Sequence, residues 1–524
     1  MGDGVNDRPR APRTSDGVIL GAFAVATLLL HFACNSRYGY WIDELYFIAC
    51  SEHLAWGYVD HPPLIAFIAR GSRALLGNSL FAIRFLPAVA HAALVFLAGW
   101  ITRMLGGHRF AQVLAAVAVA LAPVYLAFGN LLTMNAFEPV LWTACTFLVM
   151  RMVERERPQL WLVVGVLGGI GLLNKHSMAF FGLALIAGLL LTPERRVLRS
   201  TWIGVAGLVA LVIVVPHVWW QIENRWPTLE LLRNAQLYQH QSVSAAQFVW
   251  GQIQLLNPLA LPLWLAGLYF YVAEEQGRRF RFVGWTFVLL FVGGMIIEAK
   301  TYYLAPAYPM LLAAGAVAIE RWAGLRWWRW LKPATLALVV IGAVPTLPYV
   351  LPILPIEMVP GYLEWLGMRE VRPERRAVGD VPQLFADMFG WDETVAAVAK
   401  AYGNLPPEER ARAAIWGVGY GEAAAVDLLG PPYGLPPAIS GHQNYFLWGP
   451  RDASGEVLVA VRIPQKWLQP WCTQLDEVEV VECRYCMPDR QRIAVSICRG
   501  LKVPLTELWP KVKCWTCDRP EIGR

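Results

Sequence analysis

Eleven apolar runs, each long enough or nearly long enough to cross a bilayer, lie between residues 17 and 353. Lipid hydrocarbon offers no hydrogen-bond partners, so an apolar run of about 20 residues must cross it as a helix. Composition agrees, because 56% of the residues are hydrophobic and only 16% are charged, against about 25% in soluble domains. We therefore predict an α-helical polytopic membrane protein with about eleven transmembrane helices. The runs span residues 17–34, 81–102, 110–128, 134–152, 160–173, 177–191, 201–218, 248–272, 282–297, 302–319 and 333–353.

The charges of the short loops predict the topology. A single helix over 160–191 would place Lys175 in mid-bilayer, whereas two short helices place it at a membrane surface. With two helices, the inner segments carry 18 basic residues and the outer segments only 8. The inner segments are 1–16, 103–109, 151–157, 195–199, 278–281 and 321–332. Because basic residues concentrate on the cytoplasmic side, we expect a cytoplasmic tail at 1–16 and an outer location for residues 35–80, 219–247 and the C-terminal region.

After about residue 355 the chain becomes charged and rich in Pro and Gly, which is typical of a soluble domain. We predict a transmembrane domain over 17–354 and an extracytoplasmic α/β domain over 355–524. The expected strands are Ala413–Trp416 and Val457–Ile463, and the expected helices are Asp392–Tyr402 and Glu422–Leu429. The sequence GVGYGE at 417–422 weakly imitates a dinucleotide-binding loop, but we interpret it as a strand-to-helix turn.

Six cysteines lie in this outer domain, where disulfides are permitted: Cys472, Cys483, Cys486, Cys498, Cys514 and Cys517. Six cysteines allow fifteen pairings, so the sequence assigns none of them. The two CxxC pairs are also compatible with structural zinc, although their separation is longer than in a usual zinc ribbon.

The stretch from Tyr38 to Leu64 is the main candidate for chemistry, and we expect a catalytic loop there. It carries the acidic pair Asp43-Glu44, and carboxylates beside a membrane cavity are costly to desolvate. Either carboxylate has the chemistry of a general base or of an oxygen ligand for a divalent metal. The alternative is a solvated acid pair at the interface. His61 precedes two prolines and a segment, Leu64–Leu76, that is expected to form a helix along the interface.

With these residues included, the chain resembles glycosyltransferase family 39, the protein O-mannosyltransferase and lipid A aminoarabinose transferase group of superfamily C. The resemblance rests on the order of motifs across most of residues 17–320. These are the first span, the acidic pair, HPPL at 61–64, Arg84, LTMNAFEP at 132–139, NKH at 174–176 and KTYYLAP at 300–306. At His61 the chain looks closer to the mannosyltransferase-like pattern, because the aminoarabinose branch has a lysine there.

The resemblance implies inverting transfer of a sugar from a polyprenyl-phosphate donor on the extracytoplasmic face. The catalytic acid falls on Asp43, with Glu44 beside it. The departing lipid phosphate is an anion, so cations are expected to meet it, and His61, Arg84, Lys175 and Lys300 are the candidates. Tyr302 and Tyr303 are candidate phosphate or sugar contacts, with an interfacial aromatic belt as the alternative. For the two lysines, the alternative is snorkelling to the interface.

The resemblance also implies a second acidic residue in the second outer loop. Here Asn135 stands where an aspartate is expected, and Glu138 follows one turn later. This departure weakens the prediction of a two-carboxylate metal site. Asp43 and Glu138 are the candidate ligands for a divalent metal ion, and no other cofactor is predicted.

The partners predicted from these observations are the lipid bilayer, a polyprenyl-phosphate-linked sugar, and a lipid, protein or polysaccharide acceptor. The net charge of +6 is sorted by topology, so we expect no nucleic-acid partner. We expect a multi-pass protein of the bacterial inner membrane. The alternative from another functional class is a transporter or flippase, which predicts broken helices in paired halves and charged residues in mid-span.

Overall fold

The computed structural model describes residues 14–238, 243–367 and 379–517. Most of the predicted cytoplasmic tail, residues 1–13, lies outside these ranges. The chain forms two compact units. Unit 1 comprises Met1–Asn35, Arg84–Val215 and Ser242–Ile353, and unit 2 comprises Ser36–Ile83, Pro216–Gln241 and Leu354–Arg524. The predicted domain boundary at residue 354 stays a prediction, since unit 2 also contains residues 36–83, most of which belong to the predicted outer loop 35–80.

Unit 1 is helical throughout its described residues. Its α-helices, two of which begin or end in unit 2, are Thr14–Cys34, Leu80–Met104, Arg109–Ala120, Pro123–Gly129, Met134–Arg155, Leu160–Asn174, Ser177–Leu190, Trp202–Glu223, Ala245–Leu255, Leu261–Val272, Arg281–Ile296, Tyr308–Trp322, Leu331–Ala343 and Leu347–Val350. A 3₁₀ helix, Thr301–Ala307, precedes Tyr308–Trp322.

Seven of the described helices are long and apolar enough to cross a membrane, and three bent helix pairs each pass the same test. A further apolar helix, Leu160–Asn174, is shorter. These segments coincide with the eleven predicted runs, and the polytopic helical fold is confirmed. The two-helix interpretation of 160–191 is also confirmed, because the chain breaks between Asn174 and Ser177.

Small residues bring two helices of unit 1 into close contact. A Cβ atom added to Gly267 would overlap the carbonyl of Leu311, and one added to Gly315 would overlap that of Leu263. Helices Leu261–Val272 and Tyr308–Trp322 therefore pack backbone against backbone. Small residues that allow such close packing are common where helices associate in lipid, because the hydrophobic effect does not drive helices together there.

Unit 2 combines helices with one small sheet. Its helices are Ile42–Glu52, Leu64–Leu76, Pro227–Tyr238, Val359–Trp365, Gln383–Ala386, Trp391–Gly403, Pro407–Arg410, Tyr420–Leu429, Gln443–Trp448, Gln465–Leu468 and Leu505–Leu508. Its strands are β1 (Ala413–Gly417), β2 (Val457–Val461), β3 (Cys472–Glu482) and β4 (Arg492–Leu501). The order across the sheet is β1-β2-β4-β3, with β1 and β2 parallel and the other neighbours antiparallel.

The predicted elements of the α/β domain are confirmed, as are the helix Leu64–Leu76 and the strand-to-helix turn after β1. Strands β3 and β4 were not predicted. Much of β3 is exposed and charged, so it lacks the apolar run that marked β1 and β2.

The expectation of a loop over Tyr38–Leu64 is wrong, because residues Ile42–Glu52 form a helix. Every residue from Glu44 to Ser51 is buried, so the segment has no polar face and no amphipathic period to detect. It packs against helix Tyr420–Leu429 of the C-terminal region. The contact is close because residue 421 is glycine: a Cβ atom there would lie 2.8 Å from Cγ1 of Ile42.

Three disulfides join all six cysteines of the C-terminal region. They are Cys472–Cys498, Cys483–Cys486 and Cys514–Cys517. The first links β3 to β4, and each of the other two closes within one CxxC pair. The zinc alternative therefore finds no support in these residues. Cys34, Cys50 and Cys145 are buried thiols.

Candidate active site

Asp43 lies in the first turn of helix Ile42–Glu52, where a carboxylate is favoured by the helix dipole. Its side chain is half-buried, and Oδ1 accepts a 2.7 Å hydrogen bond from the hydroxyl of Tyr420. Tyr420 begins helix Tyr420–Leu429, so the helix contact permitted by Gly421 brings the phenol to the carboxylate. The arrangement orients Asp43 while leaving part of it exposed.

Glu44 has a different environment from its neighbour. It is fully buried, and Oε2 accepts a 2.9 Å hydrogen bond from the backbone N–H of Trp41. A glutamate at the third helical position that bonds back to the residue before the helix is a capping interaction. The geometry gives Glu44 a structural task, and its predicted catalytic role stays a prediction.

His61 is completely buried between aromatic rings. Its ring stacks on Tyr58 at 4.6 Å and meets Phe47 edge-on at 5.0 Å. Nδ1 lies 2.8 Å from the carbonyl oxygen of Pro62, and because a carbonyl only accepts, Nδ1 carries the proton. Nε2 lies 3.8 Å from Asp60 and has no hydrogen-bond partner among the described residues. A direct contact of His61 with a phosphate would require these rings to move.

Tyr46 links residues 36–83 to the C-terminal region within unit 2. Its hydroxyl donates to Asp60 at 3.0 Å and accepts from the backbone N–H of Asn444 at 3.3 Å. Burial, together with the charge of Asp60, raises the pKa of Tyr46 well above its ordinary value, so it remains a donor at neutral pH. The side-chain oxygen of Asn444 in turn accepts from the N–H of Val59 at 2.8 Å.

A second polar cluster lies in unit 1, around the break between two predicted spans. Nζ of Lys175 donates to Asn135 at 2.7 Å and lies 3.1 Å from Glu138, whose other oxygen accepts from Ser177. Glu138 is buried and Lys175 is mostly buried, so each charge needs the other as a partner. Asn135, which stands where the resemblance implies an aspartate, thus accepts a hydrogen bond from Lys175.

The faces of two tyrosines cover the same ammonium group. Nζ of Lys175 lies 4.5 Å from the ring centre of Tyr303 and 5.5 Å from that of Tyr302. Such cation–π contacts are worth about 0.5–2 kcal/mol, depending on desolvation. Lys300 immediately precedes the 3₁₀ helix that carries both tyrosines and is half-buried. The structure therefore brings Lys175, Tyr302 and Tyr303 together, and their role as phosphate or sugar contacts stays a prediction.

Arg84 is fully buried in unit 1. Its guanidinium donates to the carbonyl of Asn35 at 3.1 Å, and the side chain of Asn35 donates to the carbonyl of Arg84 at 3.2 Å. This reciprocal pair ties the end of the first span to the second. The role of Arg84 as a phosphate contact stays a prediction.

The candidate metal ligands do not fit a metal ion. One oxygen of Glu138 pairs with the ammonium of Lys175, which supplies the positive charge that a metal would bring. One oxygen of the other candidate, Asp43, accepts a hydrogen bond from Tyr420. Among the described residues, no group of three or more His, Cys, Asp or Glu side chains gathers as a metal site would require. We derive no step through a metal.

Comparisons with known proteins agree with this architecture. Residues 60–220 match the model of the dolichyl-phosphate-mannose-protein mannosyltransferase family. The lipid A galacturonosyltransferase RgtD of Rhizobium johnstonii is 24% identical over 428 residues, covering 76% of this chain and 86% of RgtD. An undecaprenyl phosphate-alpha-4-amino-4-deoxy-L-arabinose arabinosyl transferase of Pseudomonas savastanoi pv. phaseolicola is 26% identical over 229 residues, covering 39% of this chain and 41% of that enzyme. The crystal structure of ArnT from Cupriavidus metallidurans bound to undecaprenyl phosphate matches with a TM-score of 0.62 at 16% identity, covering 92% of this chain and 98% of ArnT.

The chain is a membrane glycosyltransferase, similar in sequence to these relatives. These relatives are enzymes, and they favour the glycosyltransferase interpretation over the transporter or flippase. The enzyme is a multi-pass membrane protein with a C-terminal region that carries a small sheet.

Sequence reasoning missed several residues of the two clusters in this glycosyltransferase. Tyr46 lies within residues 36–83, Tyr420 and Asn444 contact that segment, and Ser177 donates to Glu138. No local pattern could have identified Tyr420, because 377 residues separate it from Asp43. The link to Ser177 was more accessible, since NKHS places a small hydroxyl two residues after the candidate lysine.

Proposed function

We propose that this glycosyltransferase moves a sugar from a polyprenyl-phosphate carrier to a lipid acceptor on the extracytoplasmic side of the inner membrane. The likeness to the lipid A galacturonosyltransferase RgtD, over 76% of this chain and 86% of RgtD, carries the proposal. The matching ArnT structure has undecaprenyl phosphate bound, which supports the same class of donor.

The proposed reaction is an inverting displacement. Asp43 takes the proton of the acceptor hydroxyl while that oxygen forms a bond to the anomeric carbon of the sugar. The bond between the anomeric carbon and the phosphate oxygen breaks, and the polyprenyl phosphate leaves as an anion. Tyr420 holds the carboxylate in place, which supports this role for Asp43.

Lys175 is the proposed electrostatic partner of the departing phosphate. Its ammonium is held by Asn135, Glu138 and two tyrosine faces, so it is positioned before any substrate arrives. Lys300 and Arg84 are the other proposed cationic contacts, and Tyr302 and Tyr303 are proposed contacts to the phosphate or sugar. A contact from His61 stays a proposal that requires the rings around it to move.

The decisive experiment measures sugar transfer by the purified full-length enzyme. The donors are undecaprenyl-phosphate derivatives of galacturonic acid, aminoarabinose and mannose, and the acceptor is lipid A. We expect one donor to be consumed, and Asp43→Asn to lower turnover by about 10²–10⁴-fold, the usual contribution of a general base. Asp392→Asn is the matched control, since Asp392 is an exposed aspartate in the first turn of helix Trp391–Gly403. Failure to consume any donor, or full activity of Asp43→Asn, refutes the mechanism.

We also propose that the N-terminus is cytoplasmic and that unit 2 faces outward, and the three disulfides support an outer location. Two exposed tryptophans allow a matched test, Trp365 in unit 2 and Trp327 in a predicted inner loop. The thiol of Trp365→Cys should react with an impermeant maleimide in intact cells. That of Trp327→Cys should react only after permeabilisation, and the reverse pattern contradicts the topology.

A further inference from the structure

A polar cleft in unit 2 reaches the hydrogen-bond partner of Asp43. Its volume is about 180 Å³, well above the ~10–15 Å³ that one ordered water requires. Tyr420, whose hydroxyl donates to Asp43, forms part of its wall. Its other polar lining residues are Glu422, His442, Arg462, Asp489, Arg490 and Thr516. A ligand in this cleft would therefore contact the tyrosine that orients the proposed base.

Two residues of the cleft, Thr516 and Arg462, have features that are common in ligand-binding sites. Oγ of Thr516 is buried and has no hydrogen-bond partner among the described residues. Arg462 has a φ of 58°, a left-handed conformation that costs a non-glycine residue about 1–2 kcal/mol. Its Nη1 lies 3.4 Å from Asp489, a long contact that leaves room for a competing acceptor. Strain of this kind concentrates at binding sites.

The chemistry of the wall suits hydroxyl groups better than a phosphate. Arg462 is a donor, Asp489 an acceptor, and the hydroxyls of Tyr420 and Thr516 do both. A phosphate presents only acceptors, and both guanidinium groups of the wall, those of Arg462 and Arg490, already pair with carboxylates, which lessens their attraction for it. A saccharide both donates and accepts through each hydroxyl, and it matches a wall of mixed character.

An apolar pocket of about 80 Å³ adjoins the cleft. Both cavities share Val418, Trp467 and Cys517 in their walls. The remaining wall of the pocket is largely aliphatic and aromatic, with Trp416, Ile463, Leu468, Trp471, Leu508 and Val512. A ligand that fills both cavities has a hydroxyl-rich end next to an apolar end.

We propose that the cleft and pocket together form the acceptor site, with the saccharide of a glycolipid in the polar cleft and the start of its acyl chain in the tryptophan-lined pocket. This inference rests on the proposed function, and it places acceptor recognition in the C-terminal region. A saccharide hydroxyl beside Tyr420 is where the general base Asp43 needs its substrate.

The test uses the full-length enzyme in phosphatidylcholine nanodiscs without any donor sugar, so that it does not depend on transfer. The probe is a glucosamine disaccharide whose C12 acyl chain carries a diazirine. We expect photolabelling of peptides within 463–471 and 508–514, and suppression by excess acylated disaccharide. A diazirine-bearing phosphatidylcholine is the lipid control. Equal labelling of these peptides by both probes, or labelling by the saccharide probe only elsewhere, refutes the site.

Two variants separate the two halves of the site. Trp471→Ala removes a wall of the apolar pocket, and we expect about tenfold weaker binding of the acylated probe with little change for the deacylated disaccharide. Thr516→Val keeps the shape and removes the hydroxyl, so it should weaken both ligands several-fold. Trp365→Ala is the control for tryptophan loss, because Trp365 is 77% exposed in the same unit.

The outcomes distinguish this inference from the proposed function. If Asp43→Asn abolishes transfer but Trp471→Ala and Thr516→Val bind the probe as the wild type does, the acceptor site is refuted and the enzymatic function stands. If the probe binds as expected but no donor is consumed, the glycolipid site stands as a binding site and the transfer reaction is refuted.

Discussion

The ion pair between Arg462 and Glu422 supports the wall of the cleft and allows a quantitative prediction. Nε of Arg462 donates to Glu422 at 2.8 Å, and the N–H of Gly419 donates to the other carboxylate oxygen at 3.1 Å. Burial alone would raise the pKa of Glu422, but the guanidinium groups of Arg462 and Arg490 hold that pKa below its ordinary value. Glu422 is therefore ionised inside the protein.

Replacing Arg462 with Gln should destabilise unit 2. Removing one partner of a buried ion pair costs about 3–5 kcal/mol, because the other charge stays buried. Arg462 is 24% exposed and Arg490 remains near Glu422, so we reduce this to roughly 2–3 kcal/mol. At about 2–4 °C for each kcal/mol in a domain of this size, the melting temperature should fall by about 4–12 °C at pH 8.

The loss of stability in Arg462→Gln should depend on pH, and the pKa of Glu422 determines whether the loss grows or shrinks as the pH rises. In the wild type the folded pKa is lowered, so the stabilisation is present above the unfolded pKa of about 4.3 and is lost as pH falls through the folded pKa. In Arg462→Gln the effect of burial should prevail and raise the folded pKa. Stability is then lost as pH rises through that value, so the deficit should be smaller at pH 5 than at pH 8.

The assay is thermal unfolding of the purified protein, with hydrogen exchange of helix Tyr420–Leu429 as a local measure of stability. Arg412→Gln is the control, since its pair with Glu456 is about half-exposed on both sides and should contribute less than about 1 kcal/mol. Adding Glu422→Gln to Arg462→Gln should restore most of the loss at pH 8. Equal shifts for Arg462→Gln and Arg412→Gln, or a deficit that does not change with pH, would refute the reasoning.

Three further predictions concern both units. Lys175→Met should reduce transfer by at least about tenfold and lower thermal stability, because Glu138 loses its cation; unchanged kinetics would contradict the phosphate role. Removing the Cys472–Cys498 disulfide by Cys472→Ala should lower the free energy of unfolding in denaturant by roughly 3.5 kcal/mol, since the bond closes a loop with a sequence separation of 26. A decrease below about 1 kcal/mol would contradict this. Tyr420→Phe should lower kcat by up to about tenfold with the donor KM unchanged, because the proposed base loses its 2.7 Å hydrogen bond, and a change in donor KM alone would argue against a positioning role.

Burial on all sides explains why the helix Ile42–Glu52 escaped sequence reasoning. Residues Glu44 to Ser51 are buried without interruption, so the segment shows neither the period of an amphipathic helix nor the length of a span. Helix Leu64–Leu76, by contrast, has a strongly one-sided apolar pattern and was located to the residue.

For the catalytic candidates as well, the sequence indicated their positions in the chain but not the residues that they contact. The position of Asp43 after the first span, and that of Lys175 between two short spans, could be obtained from chain order and loop charge alone. The partners could not: Tyr420 is 377 residues from Asp43, and Glu138 is 37 residues from Lys175. Glu44 looked equivalent to Asp43 in sequence, and only its bond to Trp41 distinguishes it as a cap.

By itself, the sequence determined the membrane-spanning segments, the small α/β domain and the resemblance to known membrane glycosyltransferases, because each depends on local hydrophobicity, turn residues or motif order. The tertiary structure decided which side chains meet. Contacts such as Tyr420 with Asp43 and Glu138 with Lys175 arise from the packing of elements distant in the chain, and no local pattern encodes them. The cleft and pocket beside Tyr420 exist only because that packing leaves a gap between polar and apolar walls.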